Sequence, residues 1–349
     1  MRFWARFSAA LLVAALPARA QGPAARFQES VSSEEVVVDV HVIDNAGNPI
    51  AGLSKADFAL RVDGRPAPID SVEWISTASV SPASAPPEPA PEAAGGEKTG
   101  RAPALAGRLI VLFFQTDYEM SRITGQMRMI REAHRFLDTC SPDDRVAVLS
   151  FDSHLKLRQD FTGDRGKLRH AIDRTLYFDR VDPLAPGEFP SLAASIDFRA
   201  ARRATLPEHA LRVIGQALEA LPGSKSLLFF GWGIGNFDSK MGLILDHNYP
   251  PARVALERSH TSVFALDVTS ADYHSMEGGL KALAGDTGGL YVKTHVFPRL
   301  AMEKVTRAIS GFYVLTFARP RLARGRHEMS IRVAGRGHPW VLARPNYTD

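Results

Sequence analysis

The chain has 349 residues, with 42 Lys and Arg against 38 Asp and Glu, and a single cysteine. Three of the basic residues, Arg2, Arg6 and Arg19, lie in a leading segment that reads as a removable signal. Without them the balance is 39 to 38, and the electrostatic support for a nucleic-acid role disappears. A lone Cys140 excludes an intramolecular disulfide framework and reads as a small buried apolar residue.

Residues 1–20, MRFWARFSAALLVAALPARA, place arginines before an apolar core from Phe7 to Leu16 and end in the small-x-small site Ala18-Arg19-Ala20. This pattern predicts a signal peptide cut before Gln21 and a periplasmic or secreted mature protein. The apolar core is shorter than the roughly 20 residues of a membrane span, and no later segment reaches that length, so no transmembrane anchor is expected.

From Glu34 the alternation of Val36, Val38, Val40 and Val42 with Val37, Asp39, His41 and Ile43 predicts a strand, and Asp44 to Pro49 supplies a turn. A strand at Phe58–Val62, a tight Asp63-Gly64 turn and a strand at Ile69–Ile75 complete a β unit over 34–75, too small to bury a core alone. Residues 76–107, rich in Pro, Ala, Glu and Gly and without aromatics, read as a disordered linker.

Residues 108–310 alternate strand and helix. The run Leu109–Phe114 suits a strand buried on both faces, and it stops abruptly at Gln115. Ile123, Met127, Ile130, Ala133 and Leu137 predict a helix over Ser121–Asp138. Further strands are expected at 144–151, at 155–161 as an edge, and at 226–230, 262–268 and 289–293. Helices are expected at 164–176, 208–221, 253–260, 275–284 (stopped by Gly285) and 297–309, with a further helix somewhere in 191–203. This order calls for a doubly wound, mostly parallel sheet with right-handed crossovers.

The tail over 311–346 returns to β patterning, with strands at 312–318, 327–333 and 340–344. The fold expected is α/β, inserted in or flanked by a small β-sandwich built from 34–75 and 311–346; two separate small β units are the alternative.

The ordered series RLIVLFF with an acidic loop, DDRVAVLSF with DFTGD, KSLLFFGWG and LKALAGDTGGLYV resembles the successive signatures of a von Willebrand factor type A domain. The flanking VVVDVHVIDNAGNPIAGLSKADFALRVDG and HPWVLARPNY are similar to the arms of secreted bacterial proteins related to this family, of the acidobacterial type. The resemblance spans most of the mature chain.

It implies a binding module that holds a divalent cation, Mg²⁺ or another, at the C-terminal edge of its sheet: a metal-ion-dependent adhesion site. Its oxygens would come from a D-x-S-x-S loop after the first strand, a threonine, and an aspartate after a later strand. Here Gln115, Asp117 and Glu119 occupy the loop in one register, and Asp117, Glu119 and Ser121 in the other. The threonine position falls near Ser191, and Gly231-Trp232-Gly233 offers no carboxylate before Asp238. The implied site is therefore degenerate, because a hard cation needs several converging oxygens.

Other motifs are weaker. Gly231-Trp232-Gly233-Ile234-Gly235-Asn236 lacks the last glycine of a dinucleotide loop, Pro222–Ser226 lacks the spacing of a phosphate loop, and His327-Glu328 has no second histidine. Asp152-Ser153-His154 reads as loop polarity, and the Arg128, Arg131 and Arg135 stripe as a solvated helix face. The expected function is non-catalytic binding of a protein partner through an edge formed by Gln115, Asp117, Glu119, Ser121 and Trp232, with Trp232 projecting as an anchor. The alternative is a cation-dependent ligand-binding domain or an enzyme of unrecognised type using the Asp117/Glu119 loop.

Overall fold

The N-terminal arm consists of β1 (Glu35–Ile43), β2 (Phe58–Val62), β3 (Arg65–Ala67) and β4 (Ser71–Ser76). Asp63 (φ 47°) and Gly64 (φ 75°) both sit in the left-handed region that a two-residue hairpin demands, and they fold β3 back onto β2. The computed structural model describes residues 35–76, 107–334 and 338–349. The expected signal and residues 77–106 of the expected linker lie outside these, and Ser76 closes β4.

The central region runs β5 (Leu109–Gln115), α1 (Met120–Thr139), β6 (Arg145–Phe151), β7 (Leu155–Thr162), α2 (Arg165–Asp173), α3 (Phe198–Arg203) and α4 (Pro207–Glu219). It continues with β8 (Lys225–Gly231), the hairpin β9 (Asn236–Asp238) and β10 (Gly242–Ile244), α5 (Tyr249–Arg258), β11 (Thr261–Asp267), α6 (Glu277–Asp286), β12 (Tyr291–Lys293) and α7 (Pro298–Ala308). Six strands form one sheet in the order β12-β11-β8-β5-β6-β7, parallel except for the antiparallel edge strand β7. The chain winds outward from β5 through β6 to β7, then returns to the other side of β5 to build β8, β11 and β12. The winding direction therefore reverses between β5 and β8.

The unbroken apolar run of β5 follows from helices on both faces. Leu109, Val111 and Phe113 pack with Leu211, Ile214 and Leu218 of α4, while Ile110, Leu112 and Phe114 pack with Met129, Ala133 and Phe136 of α1. Phe113 stacks on Phe229 and Phe114 on Phe230, with ring centroids 5.1 and 4.4 Å apart. Cys140 is buried behind α1, and burial pushes its thiol up to about 11, so it behaves as an apolar side chain.

The C-terminal arm adds β13 (Gly311–Ala318), β14 (Arg326–Val333), β15 (Trp340–Ala343) and β16 (Asn346–Thr348). Two antiparallel four-stranded sheets result, β15-β1-β13-β4 and β16-β14-β2-β3, each built from both arms. Val38, Val40 and Val42 share one apolar cluster with Phe58, Leu60, Tyr313, Leu315 and Phe317. The Tyr313 hydroxyl, fully buried, donates to Ile50 O and accepts from Leu53 N, both at 2.9 Å. On the other face of β1, Ile43 joins the central core, His41 Nδ1 bonds Ala308 O (3.0 Å), and Asp39 accepts from Ser224 Oγ (2.7 Å). The β arms are thereby fastened beside the starts of β8 and β11, at the end of the central sheet opposite the C-terminal strand ends.

Several element bounds differ from the sequence reading, each for a local reason. Helix α5 begins at Tyr249, before Arg253, because Pro250 and Pro251 fit a first turn that needs no backbone N–H. Helix α6 runs through Gly285 to Asp286, and the left-handed residue that follows is Gly288 (φ 72°). In the 191–203 stretch only Phe198–Arg203 is α-helical, started by Asp197, whose carboxylate accepts from Arg199 N and Ala200 N. Strands β3, β9, β10 and β16 are too short to show a periodic pattern. Among the described residues no helix is long and apolar enough to cross a membrane.

Lys225, 3% exposed, donates its ammonium to Leu221 O and to Ser259 O (2.9 Å), capping the chain ends of α4 and α5. Burial brings its pKa down from 10.5 to about 8, against the attraction of Asp39. The unfolded chain then holds this proton more firmly than the folded one between those values, so stability rises as pH increases through that window. From pH 8 to about 9.5 the protein is expected to gain about 2 kcal/mol relative to Lys225→Met, read from urea midpoints. An unchanged difference across that range contradicts a depressed Lys225.

Candidate functional site at the C-terminal edge of the sheet

In an open α/β sheet a crevice forms where neighbouring crossovers leave on opposite faces, beyond the carboxyl ends of the strands. Here that point lies between the ends of β5 and β8. Gln115, the last residue of β5, is 1% exposed, and its Oε1 accepts from Trp232 N (3.1 Å) and Gly233 N (3.3 Å). Gln126, also 1% exposed and on α1, donates its amide to Gln115 O and to Phe230 O (3.2 Å). Two carboxamides thus join both strand ends to each other and to α1. Gly125 lets the helix come close: a Cβ there would lie 1.6 Å from Val268 O, beyond the end of β11.

Above this base stands the β5–α1 loop. Asp117 accepts from Glu119 N through Oδ1 (3.0 Å) and from Arg122 through Oδ2. Arg122 Nε lies 2.8 Å from Glu119 Oε2, and its guanidinium covers the Trp232 ring 3.7 Å from the centroid. Trp232 is therefore half-buried, packed against the core and roofed by Arg122, where the sequence reading had it projecting. Gln115 likewise lies beneath the edge and not on it, because two backbone N–H groups claim its side chain. Ser121 is the second residue of α1, and its side chain lies outside the described ones.

The residues present do not fit a divalent cation in this arrangement. Several of the oxygens a cation would draw on are already held by N–H donors: both of Asp117, Oε2 of Glu119 and Oε1 of Gln115. A guanidinium already stands between the carboxylates, and a second positive charge there would be repelled. No group of three or more His, Cys, Asp or Glu converges on a possible metal position among the described residues.

Ser191 sits elsewhere: its Oγ donates to Asp160 Oδ2 (2.6 Å) and accepts from Gly187 N and Ala194 N. Asp238 is on the exposed β9 hairpin, accepting from Lys240 N and Met241 N. The carboxylate that closes a strand on this side is Asp267, at the end of β11. Buried, it accepts from Thr269 N and Oγ1, His274 Nε2 and Tyr291 OH at 2.7–3.0 Å. Every one of those bonds is internal and ties the β11–α6 loop to β12. At the neighbouring β6–β7 turn, Asp152 binds Ser153 and Lys156, and Ser153 Oγ, not Asp152, lies within hydrogen-bond reach of His154, at 3.0 Å. The buried Asp152–Lys156 pair fixes the turn.

The rim is apolar and aromatic. Tyr118 is 72% exposed and stacks on Phe178 with centroids 3.9 Å apart; Met120 is 75% exposed. Phe237 on β9, Met241 in the β9–β10 turn and Tyr273 on the loop after β11 are also exposed. Phe178 is held by Arg158, a buried side chain that donates to Ser150 Oγ, Asp179 Oδ1 and Tyr177 O, each at 2.7 Å. Burial works against the charge on Asp179, yet hydrogen bonds from Arg158 and Arg174 keep its carboxyl below the usual range. Arg122, Gln126, Asp267 and Phe178 were not singled out in the sequence. Arg122 alone left a local trace: it lies on the first turn of α1, three residues after Glu119.

No family model matches the chain, and no curated protein matches it. Among solved structures it is similar to a von Willebrand factor type A protein from Catenulispora acidiphila (TM-score 0.40, 10% identity, 90% of this chain and 75% of the other). It is also similar to the conserved hypothetical protein BatB from Bacteroides thetaiotaomicron (0.40, 13%, 58% and 98%). A third is the von Willebrand factor domain of the type V pili tip protein Mfa5 from Porphyromonas gingivalis (0.37, 11%, 58% and 94%).

Replacing Gln115 with Leu keeps the volume but leaves the N–H groups of Trp232 and Gly233 without their acceptor. Gln115→Leu is expected to cost about 2 kcal/mol in urea unfolding at unchanged m-value. A cost below about 0.5 kcal/mol would show that the carboxamide does not hold the segment after β8 to the end of β5.

Proposed function

We propose that the mature chain is an extracytoplasmic, non-catalytic module of the von Willebrand factor type A kind. On this reading it binds a protein partner through the C-terminal edge of its central sheet, at a degenerate adhesion site that needs no divalent cation. The observation that carries the reading is the contrast between base and rim. The base at the switch point is closed by internal hydrogen bonds and ion pairs, whereas the rim presents Tyr118, Met120 and Phe178 to solvent. Exposed aromatic and methionine side chains are enriched at protein interfaces, and the aromatic rings contribute contact area at small ordering cost. The β arms cover the opposite end, which leaves this edge free for a partner. A leading segment of signal type supports the placement outside the cytoplasm.

The test is affinity capture from the native envelope fraction, repeated with chelator. The double variant Tyr118→Ala/Phe178→Ala is expected to lose partner affinity at least tenfold, about 1.4 kcal/mol or more. Its Tm should move by no more than about 3 °C, because both rings are solvent-facing. Arg61→Ala, on β2, serves as the control and should bind like the parent. Equal retention by parent and double variant sinks the reading.

A further inference from the structure

Asp117 and Glu119 put two negative charges two residues apart on one loop, directly beyond the end of a buried strand. Carboxylates so placed repel one another unless a cation lies between them. The structure holds one: Arg122 reaches Asp117 through Nη1 and Glu119 through Nε at 2.8 Å. Its flat face lies on the Trp232 ring, 3.7 Å from the centroid. Trp232 belongs to the segment following β8, so three groups from both sides of the switch point converge on a single positive charge.

We propose that Arg122 is the resident cation of this edge, a positioning residue that cross-links the β5–α1 loop to the end of β8 in place of a divalent metal ion. Guanidinium suits the place better than an ammonium: its fork serves two carboxylates in its plane while its face stacks on the indole. Gln115 Oε1 is likewise spent, on two backbone N–H groups. The edge is therefore independent of divalent ions, and Arg122 sets both the height of the loop that carries Tyr118 and the cover over Trp232.

A direct consequence concerns the protein without that side chain. Removing the guanidinium takes away the positive charge that Asp117 and Glu119 share, and a small hard dication takes oxygen ligands of this kind. Arg122→Ser should thus exchange a built-in cation for a bound one. This rests on the cation-independence in the proposed function but needs no partner for its test, so Mn²⁺ binding by the parent and retained partner capture by the rim variant are separate outcomes.

The experiment is thermal unfolding of the full-length chain in EDTA and across a MnCl₂ titration. The parent is expected to show the same Tm throughout. Arg122→Ser should melt lower in EDTA and recover with saturable Mn²⁺, by about 3 °C. Asp117→Asn/Arg122→Ser should lose that recovery, and Arg122→Lys should show neither the full stability of the parent nor the Mn²⁺ response of the serine variant. A saturable Mn²⁺ stabilisation of the parent overturns the proposal. So does the absence of a saturable Mn²⁺ response in Arg122→Ser.

Discussion

Gln126 sends one amide group to two carbonyl oxygens, Gln115 O at the end of β5 and Phe230 O near the end of β8. The two strands are paired side by side as far as Phe114 and Phe230, and beyond that ladder, where the crossover helices leave in opposite directions, the amide continues the link. Gln115 returns the bond from below, its side-chain oxygen holding the N–H groups of Trp232 and Gly233. Gln126 Nε2 and Gln115 Oε1 are paired in this way, while Gln126 Oε1 and Gln115 Nε2 have no partner among the described residues, so the paired halves help set the spacing of the strand ends. The loop carrying Asp117 and Tyr118 starts from that spacing, and the placement of Arg122 over Trp232 depends on it.

The opposite end of the sheet is organised by charge and burial of a different sort. Lys225 caps two helix ends, Asp39 accepts from Ser224, and Arg344 donates to Glu257 O and Val37 O. These contacts bring the β arms against the strand starts, where β1 serves one apolar cluster with its even-numbered valines and the central core with Ile43. Division of labour follows from the geometry: one end of the sheet is covered by the chain's own arms, and the other keeps its aromatic rim in solvent.

Much of the architecture was legible because it rests on long patterns. Leu109–Phe114 announced a strand buried on both faces, Ile123 to Leu137 announced α1, and the alternation of β1 announced a strand with two distinct faces. What escaped was short or compositional: three-residue strands have no period, and the helix start at Tyr249 was masked by the two prolines that in fact open it. In the site, Asp117, Glu119 and Trp232 were found from their positions after apolar runs, but their roles were not. Trp232 was taken for a projecting anchor, since nothing in its own neighbourhood reveals an arginine arriving from α1. Asp267, buried at the end of β11 one strand beyond β8, left no local signal in the sequence.

On the proposal above, a side chain and not a metal ion supplies the positive charge between Asp117 and Glu119. Anomalous diffraction at the manganese edge, from crystals grown in MnCl₂, addresses it most directly. The expected map places the Arg122 guanidinium over Trp232, with no anomalous peak within coordination distance of Asp117 or Glu119. A manganese peak bridging those two carboxylates, with Arg122 displaced from the indole, would contradict it.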